Sequence, residues 1–278
     1  LGSPADLLAT VVGGAGADAV EVRGLPSGST LDVQAGAGDD RLRLVGDADA
    51  LEATDGVVFF HGGYATDRVQ VDASAAESVP TGLWLEQDDA APWPYLGSSF
   101  AAIRGLGMTN GLYYEQAENL QIALTPENDT VFLEATPAQL QTVSIQGLAG
   151  DDVFHVGGTG TLRNLHGSIS LDGGAQAAGT NGDRLAIENA LATEDFDDGT
   201  VYDSSIGATS FTGQGLAAPL AHTGFEDLGV YLGAGHDSLS VDAVPAGVWL
   251  VVNVGGGDDR LRVSTSLNLD VLGVAGGE

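Results

Sequence analysis

The chain has 278 residues, enough for one large domain or two ordinary ones, and 43% of them are hydrophobic, enough to bury a core. Thirty-nine acids stand against nine bases, all arginine, and the net charge of −30 repels nucleic acid and anionic membranes. With no cysteine there is no disulfide framework and no thiolate metal site, and no run approaches the ~18 apolar residues that span a membrane.

The first recurring element is Gly-x-Gly-x-Asp followed by x-apolar-x-apolar. GAGADAVEV ends its turn at Asp18 and GAGDDRLRL at Asp40, and later copies are GAGHDSLSV at Asp237 and GGGDDRLRV at Asp259. Worn copies lie between them: GYATDRVQV at Asp67, TPENDTVFL at Asp129, LAGDDVFHV at Asp152 and GTNGDRLAI at Asp183. In every copy the second and fourth residues after the aspartate are apolar, a period of two that predicts a strand. The glycines before it predict a turn with positive φ or close backbone approach.

A second turn and strand fill each interval. LPSG then TLDVQ follow Asp18, ATPAQ then TVSIQ follow Asp129, and VPAG then VWLVVNV follow Asp237. The aspartates are 22 residues apart at 18/40 and 237/259, and 23 apart at 129/152. Two strands and two turns per interval predict one coil of a parallel β-solenoid, with roughly twelve coils in all. At ~4.8 Å per coil the rod would be about 60 Å long. The alternative fold is a set of tandem β-sandwiches.

A larger period lies above this one. Asp18 to Asp129 is 111 residues and Asp129 to Asp237 is 108. GLWLEQ (82–87) is echoed by GTVYDS (199–204), LGSSF by IGATSF, and AENLQI (117–122) by FEDLGV (225–230). The chain reads as one continuous solenoid over 1–278, with long repeats at about 7–117, 118–225 and a partial 226–278, and longer excursions near 73–116 and 189–224. Its start without methionine and its end in VAGGE predict a piece of a larger polypeptide.

The four clean motifs resemble the haemolysin-type, or RTX, calcium-binding repeat G-G-x-G-x-D-x-U-x, in which U is a large apolar residue. The long unit, with its GLGM and YYEQAENLQIAL stretches, resembles the long repeats of very large secreted bacterial surface proteins. The resemblance implies a parallel β-roll outside the cell, with calcium held between turns by carbonyls and aspartates. Asp18, Asp40, Asp152, Asp237 and Asp259 are then the candidate calcium ligands, hard oxygen donors reinforced by the acidic pairs 39–40, 151–152 and 258–259. Here the motif recurs once per coil, not every nine residues, so a single edge would bind. The competing reading makes each aspartate a turn cap that accepts backbone N–H groups. The arginines that follow (Arg41, Arg68, Arg184, Arg260) would then pair with acids on neighbouring coils.

Other signals are sparser. The acidic loops 47–56 and 194–199 lack the EF-hand pattern and read as solvated. Five scattered histidines carry no metal-binding spacing, and His155, between Phe154 and Val156, should point outward. No nucleophile elbow or P-loop is present, and evenly spread repeats argue against one active site, so no enzymatic activity is expected. The loop DDAAPWPYLGS (88–98) breaks the repeat. Trp93 and Tyr95 on it are candidate contacts to a glycan or surface protein, unless the loop folds back onto the solenoid side. The expectation is a structural stalk of a large secreted or cell-surface protein, with calcium as its cofactor.

Overall fold

The computed structural model describes residues 7–48, 51–76, 82–88, 91–92, 94–95, 99–158, 161–175, 182–193, 203–264 and 274–276. They form an all-β protein with one short 3-10 turn at Leu162–Asn164. The strands are β1 (Leu7–Gly14), β2 (Ala19–Val22), β3 (Ser29–Ala37), β4 (Arg41–Val45), β5 (Val57–Tyr64), β6 (Arg68–Asp72), β7 (Gly82–Asp88) and β8 (Phe100–Gly105). They continue as β9 (Met108–Glu115), β10 (Asn119–Ala123), β11 (Thr130–Leu133), β12 (Thr142–Gln146), β13 (Val153–Val156), β14 (Ser168–Asp172), β15 (Arg184–Glu188) and β16 (Ser204–Ile206). The last are β17 (Ser210–Thr212), β18 (Leu220–Thr223), β19 (Asp227–Tyr231), β20 (Ser238–Val241), β21 (Trp249–Gly255), β22 (Arg260–Val263) and β23 (Val274–Gly276).

Two sheets contain all of them. The first runs β1-β3-β5-β9-β8-β7-β11-β13-β15-β19-β21-β23, and the second β2-β4-β6-β10-β12-β14-β18-β17-β16-β20-β22. Outside the excursions the chain alternates between the sheets, and each strand pairs in parallel with the next strand of its own sheet, as Leu42 does with Val69 and Val131 with Phe154. Antiparallel pairing, which tandem sandwiches would require throughout, is confined to β7-β8-β9 and β16-β17-β18. These are the two excursions. In each, the chain folds back twice within one sheet before resuming the alternation.

The period-two apolar pairs point between the sheets. Leu42, Leu44, Val69, Val71, Val131, Leu133, Phe154 and Val156 are completely buried in one continuous core. Val20 and Leu261, at the two ends, are only partly covered, and Val263 is exposed. Each fully buried aliphatic or aromatic side chain stabilises by roughly 1.5–3 kcal/mol, so the repeated pair is the main source of cohesion between layers. The loop 47–56, expected to be solvated, instead buries Leu51 and Thr54. Leu51 N–H bonds Leu106 O and Leu25 N–H bonds Ala53 O, which ties the loop to its neighbours.

Candidate functional site

Within a run, each motif turn after the first ends on an acid whose carboxylate reaches the layer before it. Asp18 N–H donates to Asp40 Oδ1 at 2.7 Å, Asp40 N–H to Asp67 Oδ1 at 2.8 Å, and Asp67 N–H to Glu118 Oε2 at 2.7 Å. A second run repeats the pattern. Asp129 N–H donates to Asp152 Oδ1 at 2.7 Å, Asp152 N–H to Asp183 Oδ1 at 2.7 Å, and Asp183 N–H to Glu226 Oε2 at 2.8 Å. A third begins with Asp237 N–H to Asp259 Oδ1 at 3.0 Å. The main-chain carbonyls continue the stack in the sheet direction: Asp18 O accepts from Arg41 N–H, Asp40 O from Arg68 N–H, and Asp152 O from Arg184 N–H.

The second carboxylate oxygen turns into its own loop. Asp18 Oδ2 accepts from Gly14 N–H at 2.9 Å. In the worn copy, Asp129 Oδ2 accepts from both the N–H and the hydroxyl of Thr125, at 2.9 and 2.8 Å. Thr125 therefore replaces the glycine with an extra donor. At Gly147 a Cβ would lie 2.3 Å from Asp152 Oδ2 and 2.2 Å from Gly173 O, so only glycine lets the carboxylate fold in.

The residue before the aspartate bonds the opposite way. Thr66 N–H donates to Asp39 Oδ1 at 3.1 Å, Asp151 N–H to Asn128 Oδ1 at 2.8 Å, Gly182 N–H to Asp151 Oδ1 at 3.2 Å, and Asp258 N–H to His236 Nδ1 at 2.9 Å. Successive turns are thus stitched in both directions, and the acidic pairs 39–40 and 151–152 divide the two tasks. Arg184 bonds Tyr231 Oη at 3.1 Å. Ion pairs run from Arg43 to Glu21 and Asp72 and from Arg262 to Asp242.

The ladder changes edge. At Asp18, Asp40, Asp67 and Glu118 the motif turn leads from the first sheet into the second; at Asp129, Asp152, Asp183 and Glu226 it leads from the second into the first. At Asp237 and Asp259 it has returned to the first arrangement. This corrects the expectation of a single motif edge. The switch occurs where two carboxylate turns flank one strand, Glu118 and Asp129 around β10 and Glu226 and Asp237 around β19. Glu118 and Glu226 end their ladders, yet neither belongs to the Asp motif. Their signal was the echo of AENLQI by FEDLGV, which places a glutamate at both switch points.

The ladder concentrates charge in a dry environment. Asp40, Asp67, Asp129, Asp152, Asp183 and Asp237 are all buried. The Oδ2 atoms of Asp40, Asp67 and Asp152 have no hydrogen-bond partner. Burial, reinforced by the neighbouring carboxylates of Asp183, Asp129 and Asp151, pushes the Asp152 carboxyl up to about 8, against the lowering effect of the Asp129 N–H. Burial likewise raises Asp67, with Asp40, Glu118 and Asp39 adding repulsion.

The structure brings the five sequence candidates into these ladders: Asp18 and Asp40 in the first, Asp152 in the second, Asp237 and Asp259 in the third. Asp67, Asp129 and Asp183 are equal members. Among the described residues no three His, Cys, Asp or Glu side chains gather into a group that could hold a metal ion. The Oδ1 atoms of Asp40, Asp67, Asp152, Asp183 and Asp259 are each engaged by a main-chain N–H.

Trp93 lies outside the described residues. Tyr95 packs on the outer face of the first sheet, with its ring 4.8 Å from Phe59 and 5.5 Å from Phe100, and its hydroxyl donates to Asp32 Oδ2 at 3.0 Å. Beside it, His61 lies 2.6 Å from Glu115 Oε1 and 3.2 Å from Asp32 Oδ1. Tyr95 therefore packs on an aromatic cluster of Phe59, Phe100 and Tyr113. His155 does point outward, stacked on Phe132 at 5.0 Å.

Compared with known proteins, the chain matches no family model and no curated protein. Among the described residues no helix is long and apolar enough to cross a membrane.

Proposed function

We propose that this chain is a structural spacer, a parallel β-solenoid segment of a large secreted or cell-surface protein. The observation that carries the reading is the ladder itself. It uses the chain's most repeated chemical group to join turn to turn, and it spreads those groups along the stack where catalysis would need them to converge. Hydrogen bonds from main-chain N–H to a carboxylate stabilise by about 1.5–3 kcal/mol each, so the ladder fixes the spacing of the layers as well as their turns. Small-angle scattering from the purified chain tests this. A rod about 60 Å long, set by strand spacing, is expected, and a near-spherical particle would overturn it.

Calcium is the second reading, favoured by one observation: the buried Oδ2 atoms of Asp40, Asp67 and Asp152 have no partner. Hard oxygen donors suit that ion, and main-chain carbonyls would have to supply most of its six to eight ligands. Bound to the folded chain alone, it would stabilise by mass action and would suit folding outside the cell. Titrating calcium into chelator-treated protein decides between the readings. A rise in melting temperature that is lost in Asp40→Asn and Asp152→Asn supports calcium, and no response at millimolar calcium leaves the ladder metal-independent.

A further inference from the structure

The outer face of the first sheet is covered in one half and open in the other. Where the loop carrying Tyr95 lies on it, the outward aromatics Phe59, Phe100 and Tyr113 are at most 3% exposed. Beyond β8 that cover ends. Trp84 on β7 and Trp249 on β21 are 39% and 40% exposed; β7 lies in the middle of the sheet and β21 next to its last strand, β23. On this face Phe132 and Tyr231 lie half-buried between the two exposed tryptophans, and contiguous exposed apolar surface marks binding sites.

The registers place the rest. Trp84, Phe132, His155, Ala186, Gly229 and Val251 occupy one row across six neighbouring strands. The first three rings stack, Trp84 on Phe132 at 5.3 Å and Phe132 on His155 at 5.0 Å. Ala186 is buried, and the Tyr231 ring lies over Gly229, where a Cβ would meet Tyr231 Cε2 at 2.6 Å. Beside this row runs a second, with Glu188 opposite Tyr231 and Tyr231 opposite Asn253. Past the end of β13, a Cβ on Gly158 would lie 3.7 Å from Glu188 Oε2 and 3.9 Å from Glu134 Oε1, so both carboxylates border the same gap.

Two troughs follow these rows. One of about 580 Å³ lies among Trp84, Phe132, Glu134, Glu188 and Tyr231. The other, of about 430 Å³, lies among Arg184, Asp227, Tyr231 and Trp249. Tyr231 lines both, so the two troughs adjoin on one grooved face between β7 and β21, five strand intervals or about 24 Å across.

We propose that this groove binds a strand of neutral glycan. Its walls combine flat apolar rings with hydrogen-bond acceptors from Glu134, Glu188 and Asp227, which matches the apolar faces and many hydroxyl donors of a hexose chain. Its one cation, Arg184, is already engaged with Tyr231 Oη. With a net charge of −30, the protein repels uronate and sulfate polymers. This site is separate from Tyr95 and the cluster it packs on.

Affinity electrophoresis of the whole chain tests the proposal, using gels containing a soluble β-glucan, a galactomannan, a dextran or alginate. Retardation is expected in at least one neutral gel and not in alginate. Trp84→Ala and Trp249→Ala, shown to be folded by circular dichroism, should each weaken retention at least tenfold, as should Glu188→Gln with both rings intact. Migration unaffected by all three neutral polymers, or retention unchanged in the variants, overturns it. Retention by alginate equal to that by the neutral gels also overturns it. None of these outcomes alters the rod length that tests the spacer reading.

Discussion

Asp152 and Asp183 are 31 residues apart in sequence, yet the N–H of the first donates to Oδ1 of the second at 2.7 Å, with both side chains fully buried. Asp152 in turn accepts from Asp129 N–H. One residue therefore closes two contacts between layers, as donor through its backbone and acceptor through its side chain. That makes it the most informative position to change.

Asp152→Ala leaves the Asp129 N–H buried without an acceptor, at a cost of about 1–3 kcal/mol, and opens a small cavity besides. Asp152→Asn keeps an oxygen at the Oδ1 position and, with the Asp152 carboxyl raised to about 8 and so mostly protonated at pH 7, leaves the buried charge little changed; it should lose less than half as much. Urea denaturation of the three proteins at pH 7 measures both. Equal losses in the two variants would mean that the charge, and not the accepted bond, holds the layers.

Protonation should matter at the same residue. The Asp152 carboxyl is raised to about 8 in the folded chain, against roughly 3.9 in an unfolded one. Between those values the folded state holds a proton that the unfolded state has released, so stability falls as pH rises. The contribution is complete below about pH 4 and is lost through pH 8, and the raised Asp67 acts in the same direction. The melting temperature should therefore fall from pH 5 to pH 9, less steeply in Asp152→Asn. A curve that rises over this range would show that the ladder is ionised throughout.

The turns, the strands and their buried faces were legible in the sequence, because Leu42/Leu44 and Val131/Leu133 obey a period that only a half-buried strand requires. The edge change was not. The clean turns at Asp18, Asp40, Asp237 and Asp259 share one edge and the worn turns at Asp129, Asp152 and Asp183 share the other, but worn Asp67 lies with the clean ones, so wear alone does not mark the crossing. The role of the acidic pairs was also hidden, since Asp39 and Asp40 bond in opposite directions to residues 27 positions away. Tyr95 could be read as an exposed aromatic or as a fold-back, and its burial depends on Phe59 and Asp32, which no local pattern connects to it.

Two glycines of the same motif should respond differently. A Cβ on Gly16 meets nothing within 4 Å, whereas Gly38 has φ +125° and its Cβ would lie 2.6 Å from Gly16 C and O. Gly16→Ala should stay within about 0.5 kcal/mol of the parent, and Gly38→Ala should lose about 2 kcal/mol or more. Thermal melts of the two variants compare them directly, and similar losses would mean that the turn relaxes more freely than its close contacts imply.

His236 stands where the second ladder has Asn128, and its Nδ1 accepts from Asp258 N–H at 2.9 Å. That bond requires a ring with a free lone pair on Nδ1, hence a neutral imidazole protonated on Nε2. An asparagine there would accept through its carbonyl, as Asn128 does from Asp151 N–H. His236→Asn should therefore keep stability within about 0.5 kcal/mol, while His236→Ala should lose about 0.5–1.5 kcal/mol, the net value of one hydrogen bond. Hydrogen exchange at the Asp258 amide reads the contact itself: protection should survive in the Asn variant and fall in the Ala variant. If protection is unchanged in both, the turn at 255–259 is held by its backbone alone, through the Gly256 N–H bond to Gly233 O and the Arg260 N–H bond to Asp237 O.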